Sequence, residues 1–473
     1  MASASITARS LSTLLGDWQG AGAQYAALAD RVRLLVLDGR IPVDTRLPAE
    51  RELAEALGLS RTTVSAAYAQ LRDAEFLHSI RGSGSLTRLP EGPRSIPLPT
   101  DTGILDFSKA SLPALPWLAE TVRQAADELP RHLGDSGYDP VGIPELRAAI
   151  AERYADRGLP TEPDEIMVTI GAQHAIALLA RTLIGRGDRV LVEQPSYPHA
   201  YEALRAAGGR FAPASVVAGD DGGEADSMVQ AIERTSPAVG YLMPDFHNPT
   251  GRSMSEEDRA RVVDAAARAG TLLIADETTA ELDIDRLDAH APFAVHGDAV
   301  LIGSVGKTVW GGVRVGWIRA PRPLIRKLVA ARHPGDLGTP ILEQLVVTAL
   351  MPQMPEILEL RREQLRAGRE HLEAGLADGF PEWDVPHVDG GLSTWINLGV
   401  PVSSQLALAA RTHGLIIAAG PRFGIDGAFE RFLRLPIGYS AEETDAALAA
   451  LALAWRSLAR TPVVDPSFLA DVV

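Results

Sequence analysis

From about residue 104 onward, short apolar runs alternate with amphipathic stretches of a dozen residues or so, and few folds accommodate that alternation. The runs are Ile166-Met167-Val168, Val190-Leu191-Val192, Val239-Gly240-Tyr241-Leu242, Leu272-Leu273-Ile274 and Val300-Leu301-Ile302. Between them, residues 144–157, 173–184 and 255–269 repeat apolar side chains at helical spacing. Strands this short and this uniformly apolar are buried on both faces, and parallel neighbours must be joined by helical crossovers. The expected fold is α/β, a mainly parallel sheet with ligands at the carboxyl ends of its strands. After residue 320 a long helical stretch leads to two more strands, 392–396 and 432–435, expected in a smaller C-terminal α/β lobe.

Each strand end carries polar residues. After Val300-Leu301-Ile302 comes Gly303-Ser304-Val305-Gly306-Lys307, and Arg314 follows among further glycines. A lysine at the end of a buried strand loses hydration, which lowers its pKa and frees its amine to attack a carbonyl. Small neighbours let backbone amides approach an anion, and arginine grips phosphate bidentately. The window suits pyridoxal phosphate (PLP), with the aldehyde at Lys307 and the phosphate at Ser304 and Arg314. Taken alone, it reads equally well as a surface lysine in a glycine-rich turn.

The other strand ends supply what one PLP molecule would need. Gly171, Ala172 and Gln173 open a helix whose N-terminus can hold phosphate. Tyr197 can lie flat against a pyridine ring, and Asn248 can donate to its phenolate oxygen. Asp276 can pair with the protonated ring nitrogen. Each alone could be a turn, a helix cap or a core aromatic. The five together, in chain order, resemble the fold-type-I aminotransferases. That resemblance implies a Schiff base on Lys307, Arg434 as the substrate-carboxylate arginine, and Tyr138 reaching across a dimer to the neighbouring phosphate. Two positions depart from the family pattern. Thr278 and Thr279 stand where a tyrosine usually contacts the phenolate oxygen, and Gly306 replaces a serine before the lysine.

The N-terminal stretch has a different character. Tyr25, Leu28, Val32, Leu35 and Val36 give one apolar helical face. A second helix is expected from near Pro48 to Gly58, carrying Leu53, Ala54 and Leu57 inward. A third follows Ser60, a good N-cap, with Val64, Ala67, Tyr68 and Leu71 inside. Residues 76–88 read as a hairpin. This arrangement resembles the GntR-type winged helix-turn-helix. The resemblance implies that Arg51, Ser60, Arg61, Thr62 and Thr63 face DNA, with Arg81, Gly82, Ser83 and Gly84 in a wing. Helix N-terminal amides and short hydroxyls suit phosphate, and an arginine can read guanine. The expected division is a DNA-binding domain at 20–88, a proline-rich linker at 89–103, and the PLP-binding and dimerisation body at 104–473.

Composition narrows the functions. The net charge of −16 excludes indiscriminate coating of nucleic acid. Residues 20–90, however, hold nine Lys/Arg against eight Asp/Glu, so any DNA contact belongs to that module. Without cysteine, thiolate catalysis and thiolate zinc sites are excluded, and the 11 histidines show no metal-site spacing. No metal is expected. There is no membrane-length apolar run and the first dozen residues are polar, so a cytoplasmic location is expected. A GntR-type reader joined to an aminotransferase-like body resembles the MocR family of bacterial transcriptional regulators. That resemblance implies a head-to-tail homodimer on double-stranded operator DNA, with affinity modulated by PLP or by an amino acid or amine effector joined to it. Two alternatives stand beside it: a working aminotransferase whose N-terminal domain is autoregulatory, and a scaffold that has lost its cofactor.

Overall fold

The computed structural model describes residues 5–458, apart from 17, 19–22, 38–39, 42–44, 81–83, 89–103, 135, 217–222, 287–289 and 426. The N-terminal unit comprises helices α1 (Ala8–Leu15), α2 (Gln24–Leu37), α3 (Glu50–Leu57) and α4 (Arg61–Asp73). Strands β1 (Leu77–Ile80) and β2 (Gly84–Thr87) pair antiparallel after them. Ser60 caps α4, its hydroxyl accepting from the Thr63 amide at 3.1 Å. Leu28, Val32, Leu35, Leu53, Val64 and Leu71 meet in one core. Tyr25, expected on that inner face, is 43% exposed and lies in the first turn of α2. The second helix starts at Glu50 rather than near Pro48; the Pro48 carbonyl instead accepts from the Tyr68 hydroxyl at 3.0 Å. The proline-rich stretch 89–103 lies outside the described residues.

The body opens with β3 (Leu105–Asp106), α5 (Leu118–Glu128) and α6 (Pro144–Asp156). Then come β4 (Ile166–Thr169), α7 (Gly171–Leu183), β5 (Arg189–Gln194), α8 (Pro198–Ala206), β6 (Arg210–Ser215), α9 (Gly223–Thr235) and β7 (Val239–Leu242). They are followed by α10 (Glu256–Ala269), β8 (Leu272–Asp276), β9 (Ala299–Ser304), β10 (Gly316–Arg319) and α11 (Arg322–Arg332). The seven-stranded sheet runs β4-β10-β9-β8-β7-β5-β6, parallel except for β10, which is antiparallel to both neighbours. Alternate residues of its strands feed two separate cores. Ile166, Val168, Leu191, Leu273 and Leu301 face one helical layer, and Met167, Val190, Val192, Ile274 and Ile302 face the other. Burial on both faces is why these strands are continuously apolar.

The chain continues through α12 (Ile341–Leu350) and the long α13 (Met354–Gly379) into a smaller lobe. There β11 (Ser393–Asn397), α14 (Ser403–Thr412), β12 (Leu415–Ile416), β13 (Ala418–Ala419), β14 (Phe432–Pro436) and α15 (Ala441–Leu458) enclose a core of their own. β14 pairs antiparallel with β11 and β13, and β12 pairs with β3. This lobe also touches the N-terminal unit. Arg31 of α2 is buried against it, ion-paired with Glu430 and donating to the Ser404 hydroxyl at 2.9 Å.

Candidate functional site

The carboxyl ends of β4, β5, β7, β8 and β9 converge beneath the small lobe. Lys307 sits in the turn after β9, its Nζ donating to the Ala110 carbonyl at 2.7 Å. Burial, with Arg434 and Arg314 nearby, lowers its amine from 10.5 to about 8 against the opposing pull of Asp276. A substantial neutral fraction near pH 7–8 is what nucleophilic attack on an aldehyde requires.

Asp276 ends β8 and is fully inside. Its Oδ2 accepts from the Tyr241 hydroxyl at 2.7 Å and its Oδ1 from the Thr278 amide at 3.0 Å. Burial raises this carboxyl, while those hydrogen bonds and Lys307 oppose the rise. Among the described residues no cation forms an ion pair with it, so a protonated ring nitrogen would supply a missing counter-charge. On this count the site fits PLP.

Asn248, after β7, is half-buried; its Oδ1 accepts from Arg434 Nη1 at 3.4 Å, which leaves its amide hydrogens to donate elsewhere. Arg434, in β14, also donates to the Ser108 carbonyl, and burial lowers its guanidinium to about 10. Its Nε is buried without a partner, and its guanidinium lies 5.1 Å from the Phe423 ring centre. Tyr197 is half-buried at the start of α8; burial, Asp276 and Glu202 push its phenol up to about 12. It is a neutral ring at any ordinary pH.

A cup forms where α7 meets β10. Helix α7 begins at Gly171, two residues earlier than the sequence pattern suggests, so Gly171 and Ala172 both lie in its first turn. Gly171 has φ +75°, a conformation that favours glycine, and an added Cβ would stand 2.8 Å from Arg314 Nη2 and push the guanidinium aside. Arg314 is exposed and donates to the Ile170 carbonyl at 3.2 Å. Gln173 donates to the His199 carbonyl, with its Oε1 buried and unpartnered. The Ser304 hydroxyl donates to the Val315 carbonyl at 2.9 Å and accepts from the Gly306 amide at 3.0 Å. Here Ser304 braces the lysine turn. A Cβ at Gly306 would stand 3.2 Å from that hydroxyl, a tight contact that the hydroxyl would have to yield to.

Of the two threonines after Asp276, Thr278 bonds to Asp276 itself and Thr279 is turned elsewhere. The Thr279 hydroxyl is buried and donates to the Asp245 carbonyl at 3.0 Å. Tyr138 is 68% exposed and projects from the chain ahead of α6.

On the N-terminal unit, Arg51 is exposed in the first turn of α3, and Ser60, Arg61 and Thr62 are exposed at the start of α4. The Thr63 hydroxyl is 2.8 Å from that of Ser60. Gly84 opens β2, with φ +87°. Arg81, Gly82 and Ser83 lie outside the described residues.

Sequence reasoning missed several participants. Tyr241 reads as an ordinary strand aromatic, and the 108–110 loop that contacts Lys307 and Arg434 carries no pattern at all. The Arg31–Glu430 pair joins positions about 400 residues apart, and nothing local to either announces it.

Fold and site together define a PLP-dependent aminotransferase-like body carrying a winged helix-turn-helix reader. The family model for aminotransferase class I and II matches residues 107–451, and that for bacterial regulatory proteins of the gntR family matches residues 24–86. The chain belongs to the aminotransferase class I and II family, and the added gntR-family reader makes it a MocR-type transcriptional regulator with PLP as its cofactor. It is 24% identical to the uncharacterized HTH-type transcriptional regulator YdfD of Bacillus subtilis, over 89% of this chain and 93% of that protein. It is 31% identical to the probable rhizopine catabolism regulatory protein MocR of Rhizobium meliloti, over 63% of this chain and 66% of that protein. Among solved structures, the α-aminoadipate aminotransferase LysN of Thermus thermophilus, in complex with N-(5'-phosphopyridoxyl)-L-leucine, superposes with a TM-score of 0.68 at 28% identity. That match covers 76% of this chain and 93% of LysN.

Proposed function

We propose that DNA binding by this regulator is set by PLP, anchored covalently through Lys307, and by an amino acid or amine that reacts with the same cofactor. Bound there, PLP supplies an aldehyde that condenses with amines and a ring that withdraws electrons. The chain's own residues hold and orient it. Asp276, steadied by Tyr241, takes the ring nitrogen, and Asn248 takes the phenolate oxygen. Tyr197 covers one ring face. Gly171, Ala172, Gln173, Ser304 and Arg314 surround the phosphate, and Arg434 receives the effector's carboxylate. In a head-to-tail homodimer the exposed Tyr138 would reach the neighbouring phosphate, and two readers would address two operator half-sites in the cytoplasm. Arg51, Ser60, Arg61, Thr62, Thr63 and the 81–84 wing make the DNA contacts.

The observation that carries this reading is the convergence of Lys307, Asp276, Asn248 and Arg434 in one chain with a DNA reader. It is tested by fluorescence anisotropy on the intergenic DNA beside the protein's own gene, at fixed salt, with and without PLP and added amino acids. Expected is a selective signal whose affinity changes at least about fivefold with the ligand state. Unchanged affinity in every state would reject cofactor control.

A working aminotransferase is the second reading, favoured by the partly neutral Lys307 amine, which can also move protons at a bound substrate. Against it, the Thr279 hydroxyl is committed to the Asp245 carbonyl and leaves the phenolate oxygen without a tyrosine. Quantitative turnover of an amino acid with a keto-acid acceptor is the outcome that would favour this reading.

A further inference from the structure

A cavity of about 430 Å³ opens beside the cofactor residues. It touches Tyr197, Asn248 and Arg434, while Lys307, Asp276 and Arg314 lie outside its lining. An effector whose amine met the cofactor and whose carboxylate met Arg434 would have this space beside it for its remaining atoms. The lining also draws on α14 and on the reader. Arg411 lies at the C-terminal end of α14, and Leu34 belongs to the reader's own helix α2.

The charge of the lining is one-sided. Lys109, Arg411, Arg422 and Arg434 line the cavity, and no carboxylate does. Two of these cations are matched just outside the wall, Lys109 by Asp106 and Arg422 by Glu202, each at 2.9 Å. Arg411 has no carboxylate partner among the described residues, and Arg434 keeps a buried Nε without an acceptor. Arg411, which is exposed, and the Nε of Arg434 are thus left for a ligand. A cavity with this excess of positive charge penalises a basic side chain and favours an anionic one.

We propose that this cavity is the effector's side-chain subsite, that it selects an amino acid bearing a second acidic group, and that Leu34 makes the reader a wall of it. This rests on the reading that an amino acid meets the cofactor beside Lys307. The elements that bear the subsite also bear the reader's attachment. Helix α14 holds Ser404, bonded to Arg31, near its start and Arg411 near its end. The segment leading into β14 holds Glu430, paired with Arg31, four residues before Arg434. A ligand that draws Arg411 and Arg434 toward itself therefore acts on the two elements that grip α2.

The test uses the full chain loaded with PLP and titrated separately with L-glutamate, L-aspartate, L-leucine and L-lysine. Two signals are followed, the visible absorbance of the bound cofactor and the anisotropy of labelled operator DNA. The acidic amino acids are expected to act at concentrations about tenfold or more below leucine, with lysine weakest. In Arg411→Gln the glutamate response is expected to weaken about tenfold, toward that of leucine. Leu34→Phe, which fills the cavity from the reader side, is expected to weaken the glutamate response at the cofactor itself. Leu34→Met serves as the milder variant if the phenylalanine disturbs the reader core. Leucine or lysine acting as well as glutamate overturns the acidic class. Leu34 variants that leave every cofactor response unchanged overturn the shared wall. A cofactor band that no amino acid perturbs sinks the amino-acid reading itself, and this inference with it.

Discussion

Lys307 can serve a cofactor only while its amine is partly neutral, and burial together with Arg434 and Arg314 brings that about. The amine is reactive when deprotonated, so PLP capture should accelerate with rising pH and level off above about 8, whereas an unshifted lysine at 10.5 would keep gaining. Stopped-flow absorbance across pH 6–10 checks the sign and the midpoint. Lys307→Ala should lose the dialysis-resistant cofactor while keeping weaker binding through the phosphate cup; a variant that still retains PLP through dialysis would displace the anchor from Lys307. Tyr241 acts one step removed. Its hydroxyl is the neutral donor that holds Asp276 in place, so Tyr241→Phe leaves a buried oxygen without that bond. The expected cost is about 1–3 kcal/mol of PLP affinity. Equilibrium binding of PLP compared with the apo melting temperature separates positioning from plain destabilisation: a loss of melting temperature with unchanged PLP affinity would make Tyr241 a core residue only.

The reader's α4 depends on one hydroxyl at its start. Ser60 accepts from the Thr63 amide, and Ser60→Ala should cost about 1 kcal/mol of reader stability. Because Arg61, Thr62 and Thr63 form that first turn, operator affinity should fall with it; Ser60→Asp restores the cap and adds a charge that DNA phosphate repels, so it should recover the melt without the affinity. Elements of this kind are legible in the sequence. Ser60, Gly58 and the hydrophobic spacing mark α3 and α4, and continuous apolar runs mark β4, β5, β7, β8 and β9. β6 is not legible. Its residues alternate between exposed and buried and include Pro213, which an edge strand tolerates and a central one does not. In α2 the pattern misassigns one position and is silent on another. Tyr25 looks inward but is exposed, while Arg31 carries no signal of its burial against Ser404, Gly427 and Glu430. Local periodicity reports a helix's contacts with its own domain; a face covered by residues hundreds of positions away leaves no periodic trace. The cofactor site shows the same division. Lys307, Asp276 and Asn248 stand at strand ends, where the pattern points, whereas Ser108 and Ala110 reach Arg434 and Lys307 from a loop without any.

At the scale of the whole molecule, regulation requires that the reader respond to the body, and Arg31 is one place where the two are joined. Its side chain is only 5% exposed and that of Glu430 10%. Arg31 also donates to the carbonyls of Leu15 and Gly427, so every arm of the guanidinium is used. A pair this enclosed is little screened by salt, and its geometry holds the reader at one orientation. Removing one partner strands a charge. Arg31→Gln should cost toward the lower end of about 3–5 kcal/mol, because Glu430 keeps the Ser404 amide and hydroxyl as donors. The double change Arg31→Met with Glu430→Gln removes both charges and should recover much of the melting temperature. Neither variant should recover the ligand response, since an apolar or neutral contact no longer ties α2 to the segment that leads to Arg434. Operator anisotropy with and without PLP and amino acid, run beside thermal melts, separates the two quantities. If the double variant regains stability and its operator affinity still shifts with ligand as in the parent, then the coupling runs through another contact and Arg31 serves docking alone. If stability returns and the shift does not, the ion pair carries the conformational signal between the cofactor lobe and the DNA reader.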